Sequence, residues 1–289
     1  MRKTTILEAV LLGLGHEYLI VRDEEKSKRE QHWRTTLPVG ANIQLDLSID
    51  GGPIQTWIRT SESFTANDAP APPDVLQHMA VEYFSSWRAP ELVGAIKPLV
   101  GRGARPTERE ANRLWRLKQR INDERARGGY QKGLPGTKSR DEVWLEAINK
   151  AWARFHGAEG TRIEEQIVDP DDEELLADLY VVKDDNRICS VDQVSSGELE
   201  LLSLAGWIIL NGFDGGLLVI DEPELHLHPQ WQSTFIPALH ELSPKTQLLV
   251  ASHSDAVWDQ AFSFERFLLL NEGDLRSPAS RGAEPPVAE

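Results

Sequence analysis

Apolar residues at Ile6, Val10, Leu11 and Leu14 line one face of a helix that starts on Thr4 or Thr5 and stops at Gly13 or Gly15. From Asn42 the period changes to two. Ile43, Leu45, Leu47 and Ile49 alternate with polar residues, Ile54 and Ile58 flank Thr56 in the same rhythm, and Asp50-Gly51-Gly52 stands between the runs. This pattern predicts an antiparallel β-hairpin over 42–60. Residues 81–84 read as a short buried strand. Helical spacing returns over 107–127, with Leu114, Leu117 and Ile121 on one side and Gly128-Gly129 as the stop, and over 141–155, with Val143, Leu145, Ile148 and Trp152. Two strands, 179–182 and 187–191, flank the turn Asp184-Asp185-Asn186. Residues 199–210 are almost wholly apolar, so a helix there must be buried on most sides. The short apolar runs 217–220 and 247–251 have the character of central strands in a parallel sheet. From about Asp274 onward, the Pro, Ala, Gly and Glu content predicts a loose tail.

The 289 residues, 40% of them hydrophobic, suffice for one large or two small domains and exclude a disordered or low-complexity chain. Cys189 is the only cysteine, so neither an intrachain disulfide nor a cysteine-rich metal centre can form, and the expected location is the reducing cytoplasm. No apolar run reaches the ~20 residues of a membrane span, so no membrane partner is expected. Met1-Arg2-Lys3 ahead of an apolar stretch imitates a signal peptide, but Glu8 interrupts that stretch and no cleavage site follows.

A formal charge of −15 cannot hold a polyanion by its average field. Residues 97–140 reverse the sign locally, with thirteen Lys and Arg against four Asp and Glu, and Trp115 and Tyr130 interleave with them. Such a segment is either a solvated face or a contact surface for DNA, RNA or an acidic partner. Arg113, Arg116 and Arg120 are expected to be exposed.

Three segments carry candidate chemistry. The apolar strand 217–220 ends in Asp221 and Glu222, which places two carboxylates at the C-terminal edge of a sheet, where α/β proteins bind ligands. The first can hold Mg2+ on a nucleotide and the second can orient or deprotonate an attacking water; the alternative is a solvated strand end. Ser195-Ser196-Gly197-Glu198 precedes the apolar helix, and its backbone N–H groups with the helix dipole offer an anion site, or simply a capped helix start. The strand 247–251 leads to Ser252-His253, where a lone histidine has a structural or a functional reading.

Taken in order, these segments resemble the ATP-binding-cassette class of P-loop ATPases, and more narrowly the prokaryotic SMC-like AAA-family ATPases related to the overcoming-lysogenization-defect and RecF-type proteins. The fold this implies is α/β: a P-loop NTPase-like, ABC-type ATPase head with an antiparallel hairpin and a helical insertion. The resemblance makes residues 194–198 the signature motif, with Ser195, Ser196 and Gly197 contacting nucleotide. It makes 217–222 the Walker B strand, with Asp221 supporting Mg2+ and Glu222 as catalytic base, and His253 the switch histidine. Glu224-Leu225-His226-Leu227-His228-Pro229 falls at the D-loop, and the run Asp-Glu-Pro-Glu-Leu-His-Leu-His-Pro is characteristic of the SMC-like branch.

Lys3-Thr4-Thr5 matches the end of a Walker A motif, in which the lysine grips phosphates and the hydroxyl of Thr4 binds Mg2+. Arg2 stands where a glycine belongs, and the strand and glycine-rich loop expected ahead of it are absent from the sequence. The expectation is a start assigned too late, and weak ATP binding by the 289 residues alone.

The cofactors implied are ATP and Mg2+, and the assembly implied is a homodimer sandwiching two nucleotides. The domain reading is 1–89 as the first part of the core, 90–155 as a basic helical insertion, 156–273 as the second part of the core and 274–289 as a flexible tail. The activity expected is ATP hydrolysis that regulates a nucleic-acid-related process such as antiphage defence or DNA repair, beside a nuclease or other effector. A non-hydrolysing interaction module is the main alternative. A metal-dependent hydrolase using His226 and His228 is the distant one.

Overall fold

The computed structural model describes residues 3–16, 42–47, 55–60, 79–85, 92, 94–96, 113–128, 140–156, 160–168, 176–225 and 227–269. The expected tail, residues 97–112 and His226 lie outside the described residues.

Three strands form a parallel sheet in the order β3 (Val81–Phe84), β7 (Leu217–Asp221), β8 (Gln247–Ala251). Phe84 pairs with Ile220, and Asp221 with Ala251. All five residues of β7 are buried, and their side chains alternate between two cores. Leu217 and Val219 pack with Leu7, Leu11 and Leu14 of α1 (Lys3–Gly13), whereas Leu218 and Ile220 pack with Leu201, Leu204 and Ile208. This is why the strand reads as a continuous apolar run. It enters through Gly216, whose φ is +83° and where a Cβ would lie 2.0 Å from the Ala80 carbonyl oxygen, so only glycine fits.

The strands β1 (Asn42–Leu47) and β2 (Gln55–Thr60) pair antiparallel, as expected, with Asn42 opposite Thr60. They pack on α1 so closely that a Cβ on Gly13 would meet Leu45 Cδ1 at 2.6 Å.

A second, antiparallel sheet runs β4 (Thr161–Ile167), β5 (Ala177–Lys183), β6 (Asn186–Ser190). Asp184 and Asp185 at φ +49° and +62° make the β5–β6 turn, a conformation that aspartate tolerates better than most residues. β4 goes unannounced in the sequence because charged and polar residues interrupt its two isoleucines; only Ile163 is buried.

Against this sheet lie α2 (Arg113–Gly128), α3 (Arg140–His156) and α4 (Ser196–Asn211). Leu114, Leu117, Ile121, Ile148, Trp152, Leu179 and Val181 form one core with Leu199 and Leu202 of α4. Because α4 also serves the core around β7, it is apolar nearly all round. A Cβ on Gly206 would meet Leu117 at 2.8 Å, so α2 and α4 are in close contact there.

The expectation of an exposed Arg113 is corrected. Arg113 donates to Glu82 at 3.1 Å and to the Tyr83 carbonyl at 2.9 Å, lies 3.9 Å over the Phe84 ring, and its side chain is 15% exposed. Lys118 is also interior. Its side chain is 1% exposed, and its ammonium meets Asp178 at 2.6 Å, Asp192 at 2.8 Å and the Gly94 carbonyl at 3.1 Å. The cause is helical geometry: Lys118 stands one turn beyond Leu114 and beside Leu117, on the face that packs inward. Arg120 is exposed, as expected.

Candidate active site

Asp221 ends β7 with no exposed surface. Glu222 keeps one more bond to the sheet, its N–H donating to the Ala251 carbonyl at 2.7 Å, but its φ is +50°. A left-handed glutamate is costly, by roughly 1–3 kcal/mol, and here it turns the side chain off the strand at the C-terminal edge of the sheet. His253, which follows β8, brings Nε2 to 3.8 Å from Glu222 Oε1. The imidazole is largely exposed.

The loops after β7 and β8 are tied together by Glu224. Its carboxylate accepts the Ser252 hydroxyl at 2.7 Å and the His253 N–H at 2.5 Å, while Ser252 Oγ accepts from the Ser254 N–H at 3.0 Å. From the first turn of α1, Thr4 donates its hydroxyl to Asp221 Oδ2 at 2.8 Å. The Lys3 ammonium donates to the Ser252 carbonyl. Lys3, Thr4, Asp221, Glu222 and His253 therefore converge from α1, β7 and β8 on one end of the parallel sheet. Thr5 sits beside them in α1, half-buried.

Ser195 caps α4 in a full capping box. Its Oγ donates to Glu198 Oε2 at 2.6 Å, its N–H donates to the same oxygen at 2.7 Å, and Oγ accepts from the Glu198 N–H at 3.3 Å. Ser196 is exposed and Gly197 buried. Glu198 Oε1 lies 2.9 Å from His156 Nε2. Burial works against the charge of Glu198, but the hydrogen bonds from Ser195 and His156 outweigh it and hold this carboxyl below the usual range. The bonds of Ser195 stay within its own turn, so the capped turn is a second group, separate from the first.

His228 caps the short helix α5 (Pro229–Gln232), its Nδ1 accepting from the Gln230 N–H at 3.3 Å, with its ring 6.0 Å from Trp231. The metal-hydrolase reading rests in part on His226, which lies outside the described residues. Among the described residues, no group of three or more His, Cys, Asp and Glu side chains gathers as a ligand set.

A family model described as "AAA domain, putative AbiEii toxin, Type IV TA system" matches residues 16–259. The chain belongs to this AAA-domain family. The AAA domain is 34% identical over 112 residues to "Retron Vc95 probable ATPase" of Vibrio cholerae serotype O1 biovar El Tor, covering 34% of this chain and 21% of that protein. It is 36% identical over 120 residues to "Retron Ec83 probable ATPase" of Escherichia coli, covering 37% and 22%. The chain thus spans about a fifth of the length of these curated relatives. A crystal structure of an SMC head bound to the C-terminal winged-helix domain of ScpA superposes with a TM-score of 0.46 at 16% identity, over 90% of this chain and 81% of that one, a likeness too loose to argue from.

In the AAA domain, the family match covers the capped turn, β7 and His253, whereas Lys3, Thr4 and Thr5 lie ahead of it. An oxygen-rich pair, the Thr4 hydroxyl and the buried Asp221 carboxylate, is the donor set that Mg2+ prefers. His156, Trp231 and Gln232 escape sequence reading. None falls in a motif, and each matters only through what the fold sets beside it. No helix among the described residues is long and apolar enough to cross a membrane.

Proposed function

We propose that the chain is the ATP-hydrolysing head of a defence-associated SMC-like ATPase that works as a nucleotide-sandwiching homodimer. The observation that carries this reading is the 2.8 Å bond from Thr4 to Asp221. It joins the Walker A-like and Walker B-like residues, 217 positions apart, at the sheet edge where Glu222 and His253 also meet.

The Thr4 hydroxyl and Asp221 carboxylate would hold Mg2+, and the Lys3 ammonium would pair with phosphate oxygens. Bound Mg2+ supplies charge neutralisation of the phosphates. Glu222, turned out by its left-handed backbone and with half-buried surroundings, orients water and accepts its proton. His253, with Nε2 3.8 Å from Glu222, stands where it could face the same phosphate group. Ser195, Ser196 and Gly197 present hydroxyl and backbone donors to nucleotide on the opposite copy, and His228 lies on the loop that would face the same partner. The relatives named as retron probable ATPases support the ATPase reading; antiphage defence as the setting, a nuclease or other effector as partner and the cytoplasm as location belong to the same proposal.

The test gives the chain a strand and glycine-rich loop ahead of Lys3 and compares it with its Glu222→Gln variant. The parent should hydrolyse Mg-ATP; the variant should bind ATP, stop turning over and sediment as a dimer. A parent without turnover, or a variant that stays monomeric in ATP, overturns the reading.

A further inference from the structure

A path of side-chain contacts joined by two backbone links connects the group around Glu222 with the capped turn at Ser195. From Glu222 the path passes to His253 at 3.8 Å and through the backbone to Ser254, whose hydroxyl donates to Gln232 Oε1 at 2.7 Å. Gln232 ends α5, and its Nε2 donates to the Leu227 carbonyl at 3.2 Å, which closes the turn carrying His228. The neighbouring ring, Trp231, stands 4.9 Å from the His156 ring. His156 stacks on Trp152 at 3.8 Å and 12°, and its Nδ1 lies 3.1 Å from the Trp152 carbonyl. Its Nε2 reaches Glu198, whose other oxygen holds Ser195.

We propose that His156 is a positioning residue that couples the α5 turn, and through it the Ser252–Ser254 loop, to the capped turn of α4. The physical grounds lie in how the ring is held. His156 comes from α3, an element with no residue in either group. Its plane is fixed by stacking on Trp152, and both nitrogens face acceptors. The ring therefore cannot follow a movement of Trp231 without turning Nε2 away from Glu198. Glu198 in turn divides its carboxylate between His156 and Ser195, so losing one partner re-aims the oxygen that holds the other. Packed rings and short hydrogen bonds transmit displacement because they have few alternative arrangements. Gln260 stiffens the far side, accepting from the Ile236 N–H at 3.0 Å and donating to the Gln232 and Ala256 carbonyls.

The coupling itself needs no nucleotide. Its consequence for hydrolysis, that the signature turn adopts its geometry only when the α5 and Ser252–Ser254 loops are in place, rests on the ATPase reading.

The experiment uses the full chain labelled with 5-fluorotryptophan, the Trp231 signal being assigned by Trp231→Phe. Glu198→Gln should shift the Trp231 fluorine resonance through His156, which lies against both. In a His156→Leu background the same substitution should leave that resonance still, and in a His156→Gln background, which keeps a donor toward residue 198, part of the shift should return. An equal shift in the parent and His156→Leu backgrounds, or none in the parent, overturns the proposal. Should His156→Leu not fold, Trp231→Phe decides: amide exchange at Ser195 to Leu199 should quicken by about twofold to thirtyfold while β5 is unchanged, and unaltered exchange overturns the proposal. Absence of ATP turnover would remove the ATPase reading alone, whereas failure of the fluorine cycle would remove the coupling alone.

Discussion

The Thr4 hydroxyl donates a 2.8 Å hydrogen bond to a carboxylate oxygen of Asp221, which has no exposed surface. The bond fixes the first turn of α1 to the end of β7 and keeps two oxygen donors together. Hydrogen bonds to charged groups contribute about 1.5–3 kcal/mol. Thr4→Val, which preserves shape and removes the hydroxyl, should lower stability by about that amount, and Thr4→Ser by much less. Urea midpoints at constant slope measure both; loss in Thr4→Ser with none in Thr4→Val would show that methyl packing, and not the bond, holds α1.

Glu222 is a glutamate at φ +50°, and its backbone would suit glycine better. Glu222→Gly should therefore raise stability by about 1 kcal/mol, read from thermal melts, while abolishing any ATP turnover. Glu222→Ala, equally strained and equally inactive, should gain nothing. If glycine and alanine melt alike, the left-handed turn carries no stored cost.

The sequence made β7 legible because a strand buried on both faces reads as one apolar run; β8 reads the same way although Leu248, Leu249 and Val250 are only half-buried. The double duty of α4 was legible for the same reason. The carboxylate pair and His253 were readable because their positions at strand ends are local properties. What could not be read is what depends on neighbours from elsewhere in the chain. Lys118 looks like one more cation in a basic helix until Asp178 and Asp192 arrive from β5 and the turn before α4. His156 and Trp231 carry no motif. β4, with Ile163 alone buried, hides because its other side chains are polar or half-exposed.

Lys118 is the cation of a buried cluster, so its removal leaves Asp178 and Asp192 without their shared counter-charge. Breaking a buried pair from one side costs about 3–5 kcal/mol. Lys118→Met should therefore destabilise by that order in denaturant titration, and Asp192→Asn, which leaves one carboxylate on the lysine, by less. A Lys118→Met melt indistinguishable from the parent would mean that the cluster is solvated.

The Glu198 carboxyl is held below its usual range even though burial opposes its charge, because Ser195 and His156 donate to it. A depressed carboxyl stabilises the folded form above its unfolded pKa, about 4.3, and that contribution is lost as pH falls through the lower folded value. The capping box should thus open only at a pH below the midpoint of a free glutamate, seen as a shift of the Ser195 amide resonance on acid titration. Glu198→Gln should flatten that titration. A midpoint above that of a free glutamate would contradict the hydrogen-bonded geometry.

The basic helix admits a sharper test than its sequence allowed. Arg113 cannot report on a partner, because it is committed to Glu82, the Tyr83 carbonyl and the Phe84 ring. Arg113→Glu would set one carboxylate against another in a nearly buried place, and should cost about 3–5 kcal/mol whatever the protein binds. Arg120 is exposed and lies 5.7 Å over the Trp144 ring, while Arg116 is half-exposed. Reversing Arg116 and Arg120 together should leave the urea midpoint within about 0.5 kcal/mol of the parent. If this helix contacts nucleic acid, the same double variant should weaken binding across all sequences and reduce the salt dependence by about two counterions. Binding and salt slope unchanged in a folded Arg116→Glu/Arg120→Glu protein would leave α2 as an internal strut, its charge spent on Glu82, Asp178, Asp192 and Glu165.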